Sequence, residues 1–253
     1  FEKASIENEK KIIVEEMSLR DNDPFEIMLA KWYENIFWKH SSRVKIIGTK
    51  EDVNKTTSED LTLCYDIFYQ PNNSYIVGVG NFDLNEASQV IKDFFDLNKI
   101  KPKPYTVLVS DEPLMVRKKT DAKELRVVVP AFMYGYKIVN KADDPLQAIV
   151  LDMYQKILFG ESSLFEEKRS KTNLFQDFDY FSYPERGFDI MLFHGKGEQY
   201  NQGVDEINQL IQGRKVDEQE FNRIKQIELM NMATITDYNK YVSVFLIEYH
   251  GFY

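Results

Sequence analysis

The sequence predicts an α+β protein built as two units in series, and three observations predict it. Helical periodicity alternates with strand-sized apolar runs along the 253 residues. The pattern breaks once, in the basic, proline-bearing stretch Lys99–Pro104, and then restarts. A hydrophobic content of 43%, with 14% aromatic residues, is enough for real cores and excludes a wholly disordered chain. At roughly 100–200 residues per domain, the length suits two domains.

Composition also narrows function. The net charge of −9 argues against nonspecific binding to a nucleic-acid backbone, which needs a net-basic face. No apolar run approaches the ~18–20 residues of a membrane span, so no membrane partner is expected. The single cysteine, Cys64, excludes an internal disulfide and a Cys-rich zinc site. It is compatible with a reducing compartment, and a cytoplasmic location is the expectation. The chain opens Phe1-Glu2-Lys3 with no readable targeting signal, as a processed product or a piece of something longer would.

The first unit is assigned residues 1–97. A helix is expected over Ile6–Arg20, with Ile6, Ile12, Ile13, Met17 and Leu19 broadly on one side and Lys10, Lys11, Glu15 and Ser18 on the other. Asp23-Pro24 reads as N-cap and first helical position of a second helix carrying Phe25, Met28, Leu29, Trp32 and Ile36. Thr57-Ser58-Glu59-Asp60 is a capping-box pattern for a third, through Leu61, Tyr65 and Phe68. Tyr75–Val79 reads as a buried strand. Asp83 then caps a helix whose Ala87, Val90, Ile91, Phe94 and Phe95 have i, i+3, i+4 spacing.

Residues 98–123 read as the connection, holding one strand at Tyr105–Val109. The second unit, 124–253, begins with a strand over Leu125–Met133, where Pro130 suggests an edge or a bulge. Asp144-Pro145 repeats the capping device for a helix through Ile149, Val150, Met153 and Ile157. Phe178–Tyr183 and Phe188–His194 form a strand pair around Pro184–Gly187. Helices follow over Gly203–Gln212, Glu220–Asn231 (capped by Asp217) and Asp237–Tyr249.

The first helix carries the sharpest chemical signal. Glu9 and Glu16 are seven residues apart and therefore only ~20° apart around the helix, on the side of Ile12 and Ile13. A carboxylate amid apolar side chains must be paired, protonated or bound to metal. Salt bridges to another segment and a metal ligand with a supporting acid both remain open. Zinc would also need His or Cys. His40, His194 and His250 are far apart and in no H-x-x-E-H or H-E-x-x-H frame, so any imidazole ligands lie outside this chain. Gly78-Val-Gly80 lacks the third glycine of a dinucleotide loop, and Gly160-Glu-Ser-Ser163 lacks a lysine partner; packing and a helix-capping turn explain them.

With those residues in view, the chain resembles the pitrilysin/insulinase family of inverted-zincin zinc metallopeptidases. Glu9-Lys-Lys-Ile-Ile-Val-Glu-Glu16 is similar to the family helix that contributes the third zinc ligand. Arg20-Asp-Asn-Asp-Pro24, Ile47-Gly48-Thr49, Phe68-Tyr69-x-Pro71-Asn72-Asn73 and Val77-Gly78-x-Gly80-Asn81-Phe82-Asp83 follow in order. In the second unit, Leu158-Phe-Gly-Glu-Ser-Ser-Leu-Phe165 is similar to the turn and helix before the family's Arg–Tyr segment. The resemblance is strongest to single-half bacterial members.

The resemblance implies two similar domains, each a mixed β-sheet covered by helices, the first incomplete at its N-terminus. It implies Glu16 as the metal residue, Glu9 as a supporting acid beyond the ligand shell, and zinc as the cofactor of the complete protein. The H-x-x-E-H helix would lie upstream of Phe1, so the chain by itself should be inactive. Arg169 falls at the family's substrate-holding Arg, but Gln176 stands where the Tyr would be. The implied function is part of a peptidase that hydrolyses peptides in a chamber between two homologous halves. The alternative is a non-catalytic homologue that binds peptides or completes an active half.

Overall fold

The computed structural model describes residues 2–95, 110–140, 143–172, 174–213 and 215–252. It is an α+β structure whose sheet lies in the second half. Five helices come first: α1 (Lys3–Arg20), α2 (Pro24–Ile36), α3 (Lys50–Lys55), α4 (Ser58–Phe68) and α5 (Leu84–Phe95). After residue 110 come β1 (Ala131–Val139), α6 (Pro145–Phe159), α7 (Leu164–Thr172), β2 (Asp177–Glu185), β3 (Phe188–Lys196), α8 (Tyr200–Gly213), α9 (Glu218–Thr236) and α10 (Asn239–Phe252).

The capping residues start the helices where the sequence places them. Asp23 accepts from the Phe25 N–H, and Asp144 from the Leu146 N–H, each ahead of a proline that has no N–H to satisfy. Thr57 and Asp60 form a reciprocal capping box. The same device, Thr49 with Asp52, opens α3, which the sequence reading omits because six largely polar residues show no periodicity.

The sheet is antiparallel in order β1-β3-β2. Gly187, at φ 80°, makes the tight reversal between β2 and β3. Every strand pairing among the described residues is antiparallel, where a mixed sheet was expected. The first strand of the second unit starts at Ala131 and not at Leu125. Pro130 precedes the ladder, since it has no N–H to donate, and its carbonyl accepts from Gly197. Tyr75–Val79 forms no strand, because no described segment offers it a ladder partner. The expected strand at Tyr105–Val109 lies outside the described residues.

Central strand β3 has both faces buried. Met191 and Phe193 face a cluster with Leu158, Phe159, Phe165, Phe175 and Ile207, from α6, α7, the segment before β2, and α8. Phe188, Ile190 and Leu192 face Trp32, Ile36 and Phe37, from α2 and its C-terminal cap. The molecule is thus helix, sheet and helices in three layers around one strand. Gly135 permits the approach of α2: a Cβ there would sit 2.3 Å from the Met191 carbonyl and 2.8 Å from the Trp32 ring. Gly203 does the same for α8, where a Cβ would overlap the Phe175 ring.

Residues 112–118 are packed rather than loose. Glu112 accepts hydrogen bonds from the N–H groups of Trp38, Lys39 and His40, and it pairs with Lys137 at 2.6 Å. Both side chains are 1% exposed. The Lys137 ammonium also lies over the Phe37 and Phe188 rings, at 4.9 and 4.6 Å. Further along, Arg117 donates to the Glu34 carbonyl and the Lys118 N–H to that of Asn35.

A candidate metal-ligand helix

α1 presents its packed face differently from the sequence expectation. Ile6 and Met17 are buried, whereas Ile12 is 57% exposed and Leu19 is exposed too. The packed side faces α3, where Lys10 donates to the Asn54 carbonyl at 3.2 Å and Lys50 to the Ser18 hydroxyl at 3.0 Å. Lys10 and Ser18, expected on the solvent side, are therefore on the packed side; the stem of Lys10 covers apolar surface while its ammonium finds a carbonyl.

Glu9 and Glu16 lie on the opposite, open side, flanked by the exposed Ile12 and Leu19. Glu16 accepts from the guanidinium of Arg20 at 3.1 Å, one turn along the same helix, with both side chains half exposed. No segment distant in sequence pairs with Glu16 among the described residues. The helix separates the two acids by ~10 Å along its axis, at 1.5 Å per residue.

The other candidates are occupied by structural contacts. Arg169 forks onto Glu166, at 2.6 and 2.5 Å, and donates to the Phe175 carbonyl. Its hydrogen bond to Glu166 pushes the guanidinium pKa up. Gln176 donates its N–H to the Lys196 carbonyl, extending the β2–β3 ladder by one bond. Buried His40 stacks on Phe37 and is held by the Ser42 N–H and the Arg186 carbonyl. His194, within β3, sits between Phe25 and Phe181, and burial pushes its pKa down. The side chain of His250 lies outside the described residues. Gly160 ends α6, and Ser163 caps α7 through the Glu166 N–H.

A zinc ion needs four donors in a tetrahedron, normally with imidazole or thiolate among them. Among the described residues no three His, Cys, Asp or Glu side chains converge on one point. The acids of α1 can supply an anionic oxygen ligand, but the described residues do not make a zinc site by themselves.

The pattern of the peptidase M16 inactive domain matches residues 55–228, well over half of the chain. The chain belongs to the peptidase M16 family. The pitrilysin/insulinase resemblance of the sequence is thereby shown, with the match falling on the domain described as inactive.

Among M16 relatives, the uncharacterized zinc protease YmfH of Bacillus subtilis is 26% identical over 223 residues, covering 83% of this chain and 51% of that protein. The chain thus spans about half the length of this curated relative. A putative M16-like peptidase from Alicyclobacillus acidocaldarius superposes with a TM-score of 0.87 at 23% identity, over 98% of this chain and 61% of the other. A peptidase M16 inactive domain from Pseudomonas fluorescens gives 0.77 at 15% identity, over 100% and 61%. These likenesses show the M16 fold. Among the described residues, no helix is long and apolar enough to cross a membrane.

Proposed function

We propose that this chain is the portion of a zinc-dependent M16 peptidase that carries Glu16, the third protein ligand, while two imidazoles come from residues outside the chain. The observation that carries the proposal is the open face of α1. Two acids one heptad apart lie there beside exposed Ile12 and Leu19, and Arg20 on the same helix is the cation held by Glu16. The exposed Ile12 and Leu19 suit a covering segment, and the acids beside them suit one that brings cationic or metal-bound partners.

In this reading Glu16 gives one carboxylate oxygen to the metal. Glu9, ~10 Å along the axis, acts through hydrogen bonds that orient the neighbouring groups. Bound zinc would supply Lewis acidity toward a peptide carbonyl. The residues of this chain hold and orient, and they contain no H-x-x-E-H base. Arg169 can serve a substrate only by releasing Glu166, so its contribution is expected to be small.

Peptides are the proposed substrates, taken as an added edge strand in a chamber closed by a homologous half. That mode draws its affinity from main-chain hydrogen bonds and tolerates many sequences. The charge of −9 favours neutral or basic peptides at low salt.

The test is zinc content and peptide hydrolysis of the polypeptide extended to its gene's own start, with Glu16→Gln and, as control, Glu15→Gln. Stoichiometric zinc lost only in Glu16→Gln supports the reading. The match to an inactive domain favours a second one, a non-catalytic homologue that completes an active half. Extended protein that holds no zinc yet raises the activity of a homologous half would establish it.

A further inference from the structure

A cavity of about 670 Å³ opens where α2, the turn at 43–45 and the segment 118–123 meet. The protein is acidic overall, yet this wall carries five lysines and arginines against three acids. Each acid is already held. Asp21 accepts from Lys45 at 2.8 Å, Glu34 from Lys31 at 2.9 Å, and Asp121 from Lys118 at 2.6 Å. Hydrogen bonds from Lys118 and Asn35 hold the Asp121 carboxyl down to about 2, so it stays ionised and committed.

Two cations on the wall act on its acids only through longer-range attraction, Arg43 on Glu34 and Lys123 on Asp21. Neither Arg43 nor Lys123 makes a side-chain hydrogen bond or ion pair among the described residues. The Nε–H of Arg43 is shielded from water and has no acceptor. A buried N–H without an acceptor is unfavourable, which leaves the guanidinium free to re-orient toward an arriving anion. The terminal N–H groups of a guanidinium match two oxygens of one oxyanion, and two cations without a hydrogen-bonded partner favour a dianion. The volume lies within the ~300–1,000 Å³ of small-molecule sites, larger than a lone ion requires.

We propose that this cavity binds a phosphate group, free or carried by a small molecule, with Arg43 as the bidentate anchor and Lys123 as the second cation. Because the wall draws on α2, the 43–45 turn and the 118–123 segment, a bound phosphate ties the connecting segment to the first unit. Ligand then stabilises the fold by mass action.

The experiment is titration calorimetry on the 253-residue chain at low salt, using inorganic phosphate, phosphoserine and malonate as probes. Saturable phosphate binding is expected, weakened ~10-fold or more by Arg43→Gln, as for loss of a charge-assisted pair. Lys123→Gln, at an exposed position that cannot disturb the core, should weaken it several-fold, while Lys11→Gln on the far side of α1 leaves it unchanged. Phosphoserine tighter than phosphate identifies a carried phosphate, and equal affinities identify the free ion; both support the site. Malonate binding as tightly as phosphate, absence of saturation, or unchanged affinity in both Arg43→Gln and Lys123→Gln would overturn it.

Discussion

The two halves of this chain treat the same kind of pattern in opposite ways. In the second, the apolar stripe of α6 and the residues of β3 close on one another until Leu158, Phe193 and Ile207 have no contact with solvent. In the first, α5 has equally regular spacing, but Val90 is exposed and Phe94 is 81% exposed. α4 likewise leaves Leu63, Tyr65 and Phe68 open, and Ile76 in the segment after it is exposed as well. An amphipathic pattern states that a face requires cover; it does not state what covers it. The second half contains its own sheet, on which α2 packs, and the first has no described strand of its own to cover α4 and α5.

The largest test of that contrast is in the closed half. Phe193→Ala removes a ring from the centre of the aromatic cluster and should cost ~3–5 kcal/mol, read as a fall in urea midpoint. Phe94→Ser, as large a change in side chain, should move the midpoint of this chain by less than ~0.5 kcal/mol and reduce its self-association. Comparable losses at the two positions would erase the distinction between the halves.

A second test strikes the contact that joins them. Lys137→Met leaves Glu112 buried without its cation and should cost ~3–5 kcal/mol. Burial by itself would raise the Glu112 carboxyl. Lys137 and the three backbone N–H groups outweigh it and hold the carboxyl down to about 2, from an ordinary 4.5. Its stabilisation is therefore present above pH 4.5 and is lost as pH falls toward 2. In the pH dependence of the melting temperature, Glu112→Gln should flatten that acid limb.

Asp189 predicts the opposite sign with a smaller effect. It is buried, accepts from Asn140 and Gln147, and has one oxygen without a donor. Burial pushes its pKa up, and nearby Asp143 and Asp144 add to the rise. The folded state then holds the proton more tightly, so stability declines as pH rises from about 4 through the raised pKa. Asp189→Asn should melt higher than the parent at pH 7, and the gap should close toward pH 4. A gap that widens in acid would refute the assignment.

The smallest expected effect is at the candidate ligand. Glu16→Gln breaks only a half-exposed pair with Arg20, so the stability of this chain should change by less than ~0.5 kcal/mol. A larger loss would mean that Glu16 already supports the fold of this chain, leaving less of it for a metal.

What the sequence discloses follows from range. Caps act over three residues, so Asp23, Thr57, Asp144 and Asp217 all mark real helix starts. The β2–β3 hairpin is equally legible, because two strand-sized runs flank a glycine turn. β1 is misplaced by six residues because Val127-Val128-Val129 reads as strand, while the partner strand determines where pairing begins. On α1 the heptad spacing of Glu9 and Glu16 is visible, but the packed side depends on α3, a helix too short to leave a period. Glu112 is illegible altogether: one acid in a charged segment acquires meaning only when residues 38–40 and Lys137 surround it.

That last residue constrains how the molecule can move. Three successive amides, an ammonium and a sheet strand all converge on Glu112, and Lys118 and Arg117 fasten the next turn of chain to the end of α2. Residues 112–121 therefore travel with α2 and the sheet as one piece. Any hinge between the two halves of this chain lies outside that stretch, and a probe placed on it should report the same motion as a probe on β1.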